Sequence, residues 1–171
     1  TIRIFCMGAS STFGYKIPLK ELYNQKLEKM LTCRFPLKKF EVINAGISGY
    51  TILQGLRFLQ GEIINYDPDV ITIYFGWNEH SLSLVSDKEQ AILSKEIFIL
   101  QEFLERSELY KFFRNCIFYF RVGINKILKG QGRRELRVSL SDFKDNLREI
   151  VKLTRGHNIK LYLLTAPINK H

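Results

Sequence analysis

Residues 2–14 read IRIFCMGASSTFG. The first part, Ile2–Met7, is a short apolar run with the length of a buried strand. Gly8 then opens a run of small and polar residues, which ends the strand. This order predicts the first strand of an alternating α/β domain, with polar side chains placed at the point where the strand ends.

The same alternation continues along the chain. Further strands are predicted at Phe40–Asn44, Val70–Tyr74 and Ile159–Leu164. Apolar residues at helical spacing lie between the strands, over Leu19–Leu31, Ile52–Ile64 and Leu140–Val151. Ser139 and Asp142 form a capping pair for the last helix, which Gly156 ends. Strands joined by single helices imply right-handed crossovers and a parallel sheet covered on both faces, so the fold class is α/β.

The composition is that of one globular domain. A chain of 171 residues, 46% of them hydrophobic and 25% charged, can bury a substantial core without disulfides or metals. The chain contains no run of about 18 apolar residues, which is the length needed to span a membrane. Cys6, Cys33 and Cys116 show neither CxxC nor metal-ligand spacing, and Cys6 lies in a predicted core strand, where a thiol is usually inert packing.

The net charge of +9 raises the question of a nucleic-acid partner, but the basic residues are spread along the chain. One cluster contains Arg121, Lys126, Lys129, Arg133, Arg134 and Arg137, against Glu135 alone. It is typical of a solvated basic loop, or alternatively of peripheral contact with an anionic membrane surface or a polyanionic substrate. We do not predict binding to nucleic acid.

Residues 81–138 interrupt the strand–helix rhythm and are too long for a simple loop. From Lys88 to Leu128 they lack proline and are rich in phenylalanine and tyrosine, which predicts a helical insertion within a single domain of residues 1–171. Two interpretations stay open: an insertion packed on the domain, or a lid with an acyl-chain pocket above the site. The chain begins on a predicted core strand without a signal peptide, so we expect both ends to be trimmed. Such trimming removes the usual sequence evidence on localisation, and we predict no compartment.

Three loops follow the first three predicted strands, and they read GASSTFG (8–14), NAGISG (44–49) and FGWNEH (75–80). In an open parallel sheet such loops gather at the edge where ligands bind. Together they offer the Ser10 hydroxyl, backbone N–H groups around Gly49 and the Asn78 carboxamide, which are the parts of an acyl-transfer site. Each residue also has a plainer interpretation: Ser10 as a helix cap, Gly49 as a turn glycine and Asn78 as a residue that holds its loop.

This ordered set resembles the SGNH (GDSL-type) serine hydrolase superfamily. The first block of that family, G-D-S-x-T-x-G, is matched by residues 8–14 except at Ala9. Its oxyanion glycine is matched by Gly49, and its third block, G-x-N-D, by residues 76–79 with Glu79 in place of the Asp. The resemblance spans the whole chain. It implies a flavodoxin-like three-layer α/β/α fold and ester hydrolysis without a cofactor.

The same resemblance implies the roles of three residues. Ser10 is the nucleophile, and the Ser10 and Gly49 backbone N–H groups form the oxyanion hole together with the Asn78 side chain. The implied substrate is an ester of a small molecule, a glycan or a lipid, acyl or acetyl. Ala9 removes the hydrogen bonds of an acid that often precedes the nucleophile, but that acid is not a member of the catalytic triad.

The orienting acid and the general base are the unmatched part of the pattern. The family carries them in a D-x-x-H block near its C-terminal end, and no D-x-x-H occurs here. The resemblance therefore implies that they lie beyond His171 and that this chain alone is nearly inactive. His80 adjoins Asn78 but is expected to contact the loop or the substrate edge. His157 is expected in a turn at the opposite edge of the sheet, so no histidine here is assigned as the base.

Rival families fit these loops less well. Residues 8–14 lack the G-x-G-x-x-G of a Rossmann domain, the Gly-Lys-Ser/Thr of a P-loop and the G-x-S-x-G of an α/β-hydrolase. The rival from another class is a non-catalytic lipid- or glycan-binding protein on the same scaffold. Ala9 and the missing base favour that rival, whereas the set of Ser10, Gly49 and Asn78 disfavours it.

Overall fold

The computed structural model describes residues 1–83, 86–88 and 135–165. In this part of the chain the strands are β1 (Ile2–Gly8), β2 (Phe40–Gly46), β3 (Val70–Tyr74), β4 (Leu82–Ser83), β5 (Glu135–Leu136) and β6 (Lys160–Leu163). The α-helices are α1 (Ser10–Phe13), α2 (Tyr23–Arg34), α3 (Ile52–Gly61) and α4 (Leu140–Gly156). Short 3-10 turns cover Leu19–Glu21, Ile63–Tyr66 and Asn78–His80.

A parallel sheet organises most of these elements, with the strand order β2-β1-β3-β6. Its register places Gly8, at the end of β1, opposite both Gly46 at the end of β2 and Tyr74 at the end of β3. The carboxyl ends of the three strands are therefore level, and the three loops of interest leave the sheet at one edge. The predicted parallel sheet is confirmed.

Helices cover both faces of this sheet, because successive side chains of a strand point to opposite sides. On one face Phe5 and Met7 of β1 pack with Ile71 and Ile73 of β3 against α3 and α4. On the other face Ile4 and Cys6 are buried under α2, which contributes Tyr23, Leu27 and Leu31. The result is the predicted three-layer α/β/α arrangement.

The observed bounds of α4 agree with those predicted from the sequence, whereas the bounds of α2 and α3 differ from the predicted ones. Ser139 Oγ accepts a hydrogen bond of 3.1 Å from the Asp142 N–H, so the predicted cap is confirmed. The helix predicted over Leu19–Leu31 is interrupted at Leu22, whose backbone is extended. The Leu22 side chain is buried against Gly14, in the space that a Cβ atom at Gly14 would occupy. The helix predicted over Ile52–Ile64 ends at Gly61, and a 3-10 turn then places Ile63 in the core.

Residues Leu82–Arg137 form a compact unit of their own, apart from the unit of Thr1–Ser81 and Val138–His171. Within it β4 and β5 pair antiparallel, and Arg137 makes two hydrogen bonds of 2.9 Å to the Asp87 carboxylate. Arg137, which the sequence places in the basic cluster, is thus paired with a carboxylate of the same unit. The rest of that cluster, and almost all of the helical insertion predicted over 88–128, lie outside the described residues.

In the described ranges, no helix combines the length and the apolar character needed to cross a membrane.

Candidate active site

Ser10 is the first residue of α1, and one residue, Ala9, separates it from the end of β1. The N-cap position belongs to Ala9 and no side chain caps this helix, so the interpretation of Ser10 as a helix cap is wrong. Ser10 is exposed, whereas Thr12 on the same short helix is buried. The first N–H groups of a helix have no acceptor within it, and in α1 the bonds to the Ala9 carbonyl begin only at Thr12.

Two glycines at the strand ends allow α1 to lie directly on the sheet edge. A Cβ atom at Gly46 would lie 2.7 Å from the carbonyl carbon of Thr12, and one at Gly8 would lie 2.7 Å from the carbonyl oxygen of Tyr74. Neither distance is compatible with a side chain, so glycine is required for space at both positions. Asn44 Nδ2 adds a hydrogen bond of 3.3 Å to the Phe13 carbonyl. The sheet edge therefore fixes the place of Ser10.

Gly49 lies in a tight turn after β2. The Tyr50 N–H donates to the Ile47 carbonyl at 3.2 Å, and Gly49 has a φ of +83° at the third position, as in a type II turn. The space around Gly49 is open, so the backbone conformation and not crowding requires glycine. The Ile47 N–H donates to the Gly8 carbonyl at 3.0 Å, which ties this turn to the end of β1.

Asn78 joins the loop after β3 to the loop after β2. Its Nδ2 donates a hydrogen bond of 2.8 Å to the Tyr50 carbonyl. Because β1 lies between β2 and β3, this bond spans the end of the strand from which Ser10 departs. Asn78 therefore holds its loop, as the plainer interpretation of this residue expects. A carboxamide has two N–H donors, and only one of them has an acceptor in the part of the chain that the structure describes.

Glu79 makes a contact that the sequence did not reveal. Its side chain is 4% exposed, and Oε1 accepts a hydrogen bond of 2.7 Å from the Ile52 N–H at the start of α3. Its Oε2 atom is buried and, among the described residues, has no hydrogen-bond partner. In the sequence, only its position after Asn78, where the family motif has Asp, distinguishes Glu79 from a solvent-facing loop acid.

The described histidines do not supply a base. His80 is exposed at the end of its 3-10 turn. His157 lies at the end of α4, before β6, with Nδ1 3.0 Å from the Leu153 carbonyl. This confirms its predicted place in a turn at the opposite edge of the sheet. In the described ranges neither histidine hydrogen-bonds to Ser10, and His171 lies outside those ranges.

A buried polar cluster lies on the α2 face of the sheet. The Tyr23 hydroxyl is 2.5 Å from Thr72 Oγ1, and Thr72 is the register partner of Cys6 in the neighbouring strand. Burial raises the pKa of the Cys6 thiol, which keeps it protonated and unreactive as a nucleophile. Among the described residues no group of His, Cys, Asp or Glu is arranged to hold a metal ion.

The chain matches no protein-family model and no curated protein, but its structure is similar to those of solved esterases. A variant of the esterase AlinE4 is 21% identical with a TM-score of 0.56, over 99% of this chain and 62% of that one. The esterase EstA from Pseudoalteromonas sp. is 18% identical with a TM-score of 0.55, over 99% and 63%. A variant of Axe2, an acetyl xylan esterase from Geobacillus stearothermophilus, is 16% identical with a TM-score of 0.54, over 95% and 58%.

The chain has the SGNH hydrolase fold. These likenesses confirm the predicted fold. The chain spans 58% to 63% of the length of the three solved structures, so the activity of the whole protein is a matter for proposal.

In the SGNH fold, as in other open parallel sheets, the carboxyl edge is where ligands bind. The structure brings Ser10, Gly49 and Asn78 to that edge, each from the loop after a different strand. The donors are neutral, and the backbone of each loop is tied to its neighbour. Chemically, the three loops carry a hydroxyl, a turn N–H and a carboxamide, which are the kinds of group that serve in enzymes as a nucleophile and as donors to an oxyanion.

Proposed function

We propose that this protein is a serine ester hydrolase, with Ser10 as nucleophile and an oxyanion hole formed by the Ser10 N–H, the Gly49 N–H and the Asn78 side chain. The main observation behind the proposal is the register of β1, β2 and β3, whose carboxyl ends lie at the same level of the sheet. The loops that carry Ser10, Gly49 and Asn78 therefore leave the sheet at one edge. The hydrogen bond from Asn78 to the Tyr50 carbonyl supports it, because this bond spans the end of β1.

The reaction follows from these groups. Ser10 Oγ attacks the ester carbonyl carbon while its proton passes to a general base, and the carbonyl oxygen becomes an oxyanion that the three donors stabilise. The carbon–oxygen bond to the alcohol then breaks, and the alcohol takes up the proton. Water then attacks the acyl–Ser10 carbonyl while its proton passes to the base, and the bond to Ser10 Oγ breaks as Ser10 takes up that proton, which releases the carboxylic acid. The Asn78 amide donates without losing a proton, so it suits this role across a wide pH range.

The general base is the group that the described residues do not supply. A serine hydroxyl is a poor nucleophile near neutral pH without one. The resemblance to the SGNH pattern assigns the base and its orienting acid to a D-x-x-H block, which these 171 residues lack. Experiments on catalysis therefore use the natural full-length protein.

The proposed substrates are carboxylic esters of small molecules or of glycans. A small activated ester such as p-nitrophenyl acetate tests the chemistry with few demands on substrate binding. The name of the similar structure Axe2, an acetyl xylan esterase, supports acetylated xylan as the glycan to compare with it. Release of acetate from both would indicate a deacetylase, and a preference for longer acyl chains would indicate a lipase-like acylhydrolase.

The decisive experiment compares two neighbouring serines of α1. A fluorophosphonate is expected to label the natural full-length protein, and Ser10→Ala is expected to abolish both labelling and p-nitrophenyl acetate hydrolysis. Ser11→Ala is the matched control, because Ser11 is exposed on the same short helix, and it should retain both. Wild-type turnover in the Ser10→Ala protein would remove Ser10 from the mechanism. Binding of glycan or lipid without labelling or hydrolysis would favour the non-catalytic rival.

A further inference from the structure

Two consecutive residues, Asn78 and Glu79, bind the backbone of the same loop. Asn78 Nδ2 donates to the Tyr50 carbonyl at 2.8 Å, and Glu79 Oε1 accepts from the Ile52 N–H at 2.7 Å. The two bonds run in opposite directions, one donated and one accepted by the same short segment. A slip of one loop along the other would break both, so the pair fixes their register.

The bond from Ile52 to Glu79 is separate from the helix's own cap. The start of α3 already has a capping box, in which Thr51 and Gln54 bond each other's backbone N–H groups. The Thr51 N–H, for example, donates to Gln54 Oε1 at 3.0 Å. Glu79 instead takes the next N–H from outside the helix. Its contact therefore connects two loops, in addition to satisfying a donor at the helix end.

The loop that Glu79 anchors contains Gly49. Gly49 has a positive φ, and nothing lies within 4 Å of the place where its Cβ would be, so no side-chain packing fixes its conformation. Glycine has more accessible backbone conformations than any other residue. Bonds on either side of Gly49 help to set the direction of its N–H, namely the bond from Ile47 to Gly8 and the bonds of Tyr50 and Ile52.

We propose that Glu79 is a positioning residue, which holds the Gly49 N–H and the Asn78 amide at the separation that the oxyanion requires. The inference rests on the proposed ester hydrolase function. The buried Oε2 of Glu79 is consistent with it: this atom is desolvated without a hydrogen-bond partner in the described part of the chain, a cost that opposes any gain in stability. Departures of this kind from full hydrogen bonding are expected at functional sites.

The test uses Glu79→Ala and Glu79→Gln in the natural full-length protein, with p-nitrophenyl acetate as substrate. Active sites are counted by fluorophosphonate titration, so that unfolded molecules do not lower the apparent kcat. Glu79→Ala is expected to reduce kcat about 10- to 100-fold, with a much smaller change in KM, because a displaced donor acts mainly on the transition state. Glu79→Gln should restore most of the loss, since its amide oxygen can still accept from Ile52.

Gln54→Ala is the matched control. It removes the bond to the Thr51 N–H at the same end of α3, so it is expected to lower the melting temperature while kcat stays within about twofold of wild type. A Glu79→Ala protein that behaved in this way, less stable but with wild-type kcat per active site, would show a purely structural role and overturn the proposal. Failure of Glu79→Gln to restore kcat would also overturn it.

A double variant tests whether Glu79 acts through the oxyanion hole. If it does, adding Glu79→Ala to Asn78→Ala should cost much less in kcat than it costs in the wild-type protein, whereas independent roles would give additive losses. The Ser10→Ala variant distinguishes a failure of the proposed ester hydrolase function from a failure of the positioning role of Glu79. Activity that survives in Ser10→Ala, or no ester hydrolysis by the wild-type protein, defeats the proposed function and this inference with it. An inactive Ser10→Ala beside a fully active Glu79→Ala defeats the positioning role alone.

Discussion

The side-chain amide of Asn78 donates a hydrogen bond of 2.8 Å to the backbone carbonyl of Tyr50. The two residues belong to loops that follow β3 and β2, and the strand between them, β1, ends at Gly8, two residues before Ser10. The bond therefore orients the carboxamide before any substrate is bound. Donors that are held in place beforehand stabilise a transition state without having to reorganise during the reaction.

The first prediction concerns Asn78 itself. Asn78→Ala should lower kcat for p-nitrophenyl acetate by about 10²–10³, with a smaller effect on KM, since an oxyanion donor acts mostly on the transition state. It should also cost about 1 kcal/mol in the free energy of unfolding, because the Tyr50 carbonyl loses its partner. Steady-state kinetics and urea unfolding of the natural full-length protein measure both.

Asn78→Asp is the companion variant. A carboxylate cannot donate to the Tyr50 carbonyl and would face a developing anion, so this change should be at least as harmful to kcat as the change to alanine. A rise in KM with unchanged kcat would identify Asn78 as a substrate-binding residue instead. In that case the proposed oxyanion hole would be wrong.

The second prediction concerns the space beneath α1. Gly46→Ala places a Cβ 2.7 Å from the Thr12 carbonyl carbon, so α1 must move away from the sheet. We expect a loss of about 1–3 kcal/mol in the free energy of unfolding, together with slower fluorophosphonate labelling of Ser10. Gly61→Ala is the control: it has open space at the end of α3 and should be neutral or slightly stabilising. If the two substitutions changed the free energy of unfolding and the labelling rate equally, close packing of α1 on Gly46 would not be the cause.

The third prediction separates backbone conformation from crowding at Gly49. Because its φ is +83° and its surroundings are open, Gly49→Ala should cost about 1 kcal/mol of stability through backbone strain alone. Gly49→Asn should cost less, since asparagine tolerates the left-handed region better than alanine. Urea unfolding of both variants provides the measurement. A larger loss for the bulkier asparagine would mean that space, and not φ, requires the glycine.

The fourth prediction is a pH dependence of stability that arises on the α2 face of the sheet. Burial raises the pKa of the Cys6 thiol above its ordinary value of 9.0 and that of the Tyr23 hydroxyl above its ordinary value of 10.0. The folded protein keeps both groups protonated at a pH at which the unfolded chain releases their protons. The free energy of unfolding should therefore fall as the pH rises through 9, and more steeply above 10, by up to about 1.4 kcal/mol per pH unit for each proton.

Single variants assign this decline to its two groups. Cys6→Ala should remove the part that begins near pH 9, and Tyr23→Phe the part that begins near pH 10. Cys33→Ala, which changes an exposed thiol, is the control and should keep the wild-type slope. Urea unfolding between about pH 8 and pH 11 gives the slopes. A wild-type slope in the Cys6→Ala protein would show that Cys6 does not contribute.

The sequence by itself determined the elements that depend on neighbouring residues. The β-branched run Val70–Tyr74 predicted β3 with its observed bounds, and Ser139 with Asp142 predicted the start of α4. The three loops that carry Ser10, Gly49 and Asn78 were likewise predicted to follow β1, β2 and β3. These signals are local, because apolar periodicity and helix caps involve residues only a few positions apart.

The tertiary structure decided the contacts between residues that are distant in the chain. Glu79 meets Ile52 because the loops after β3 and β2 leave the sheet at the same level, and that level is set by the register of strands far apart in sequence. Leu22 interrupts a helical pattern because it packs against Gly14, and Arg137 pairs with Asp87, a residue 50 positions away in the chain. Periodicity cannot encode such pairs, since it specifies which face of an element is buried but not which residue lies opposite.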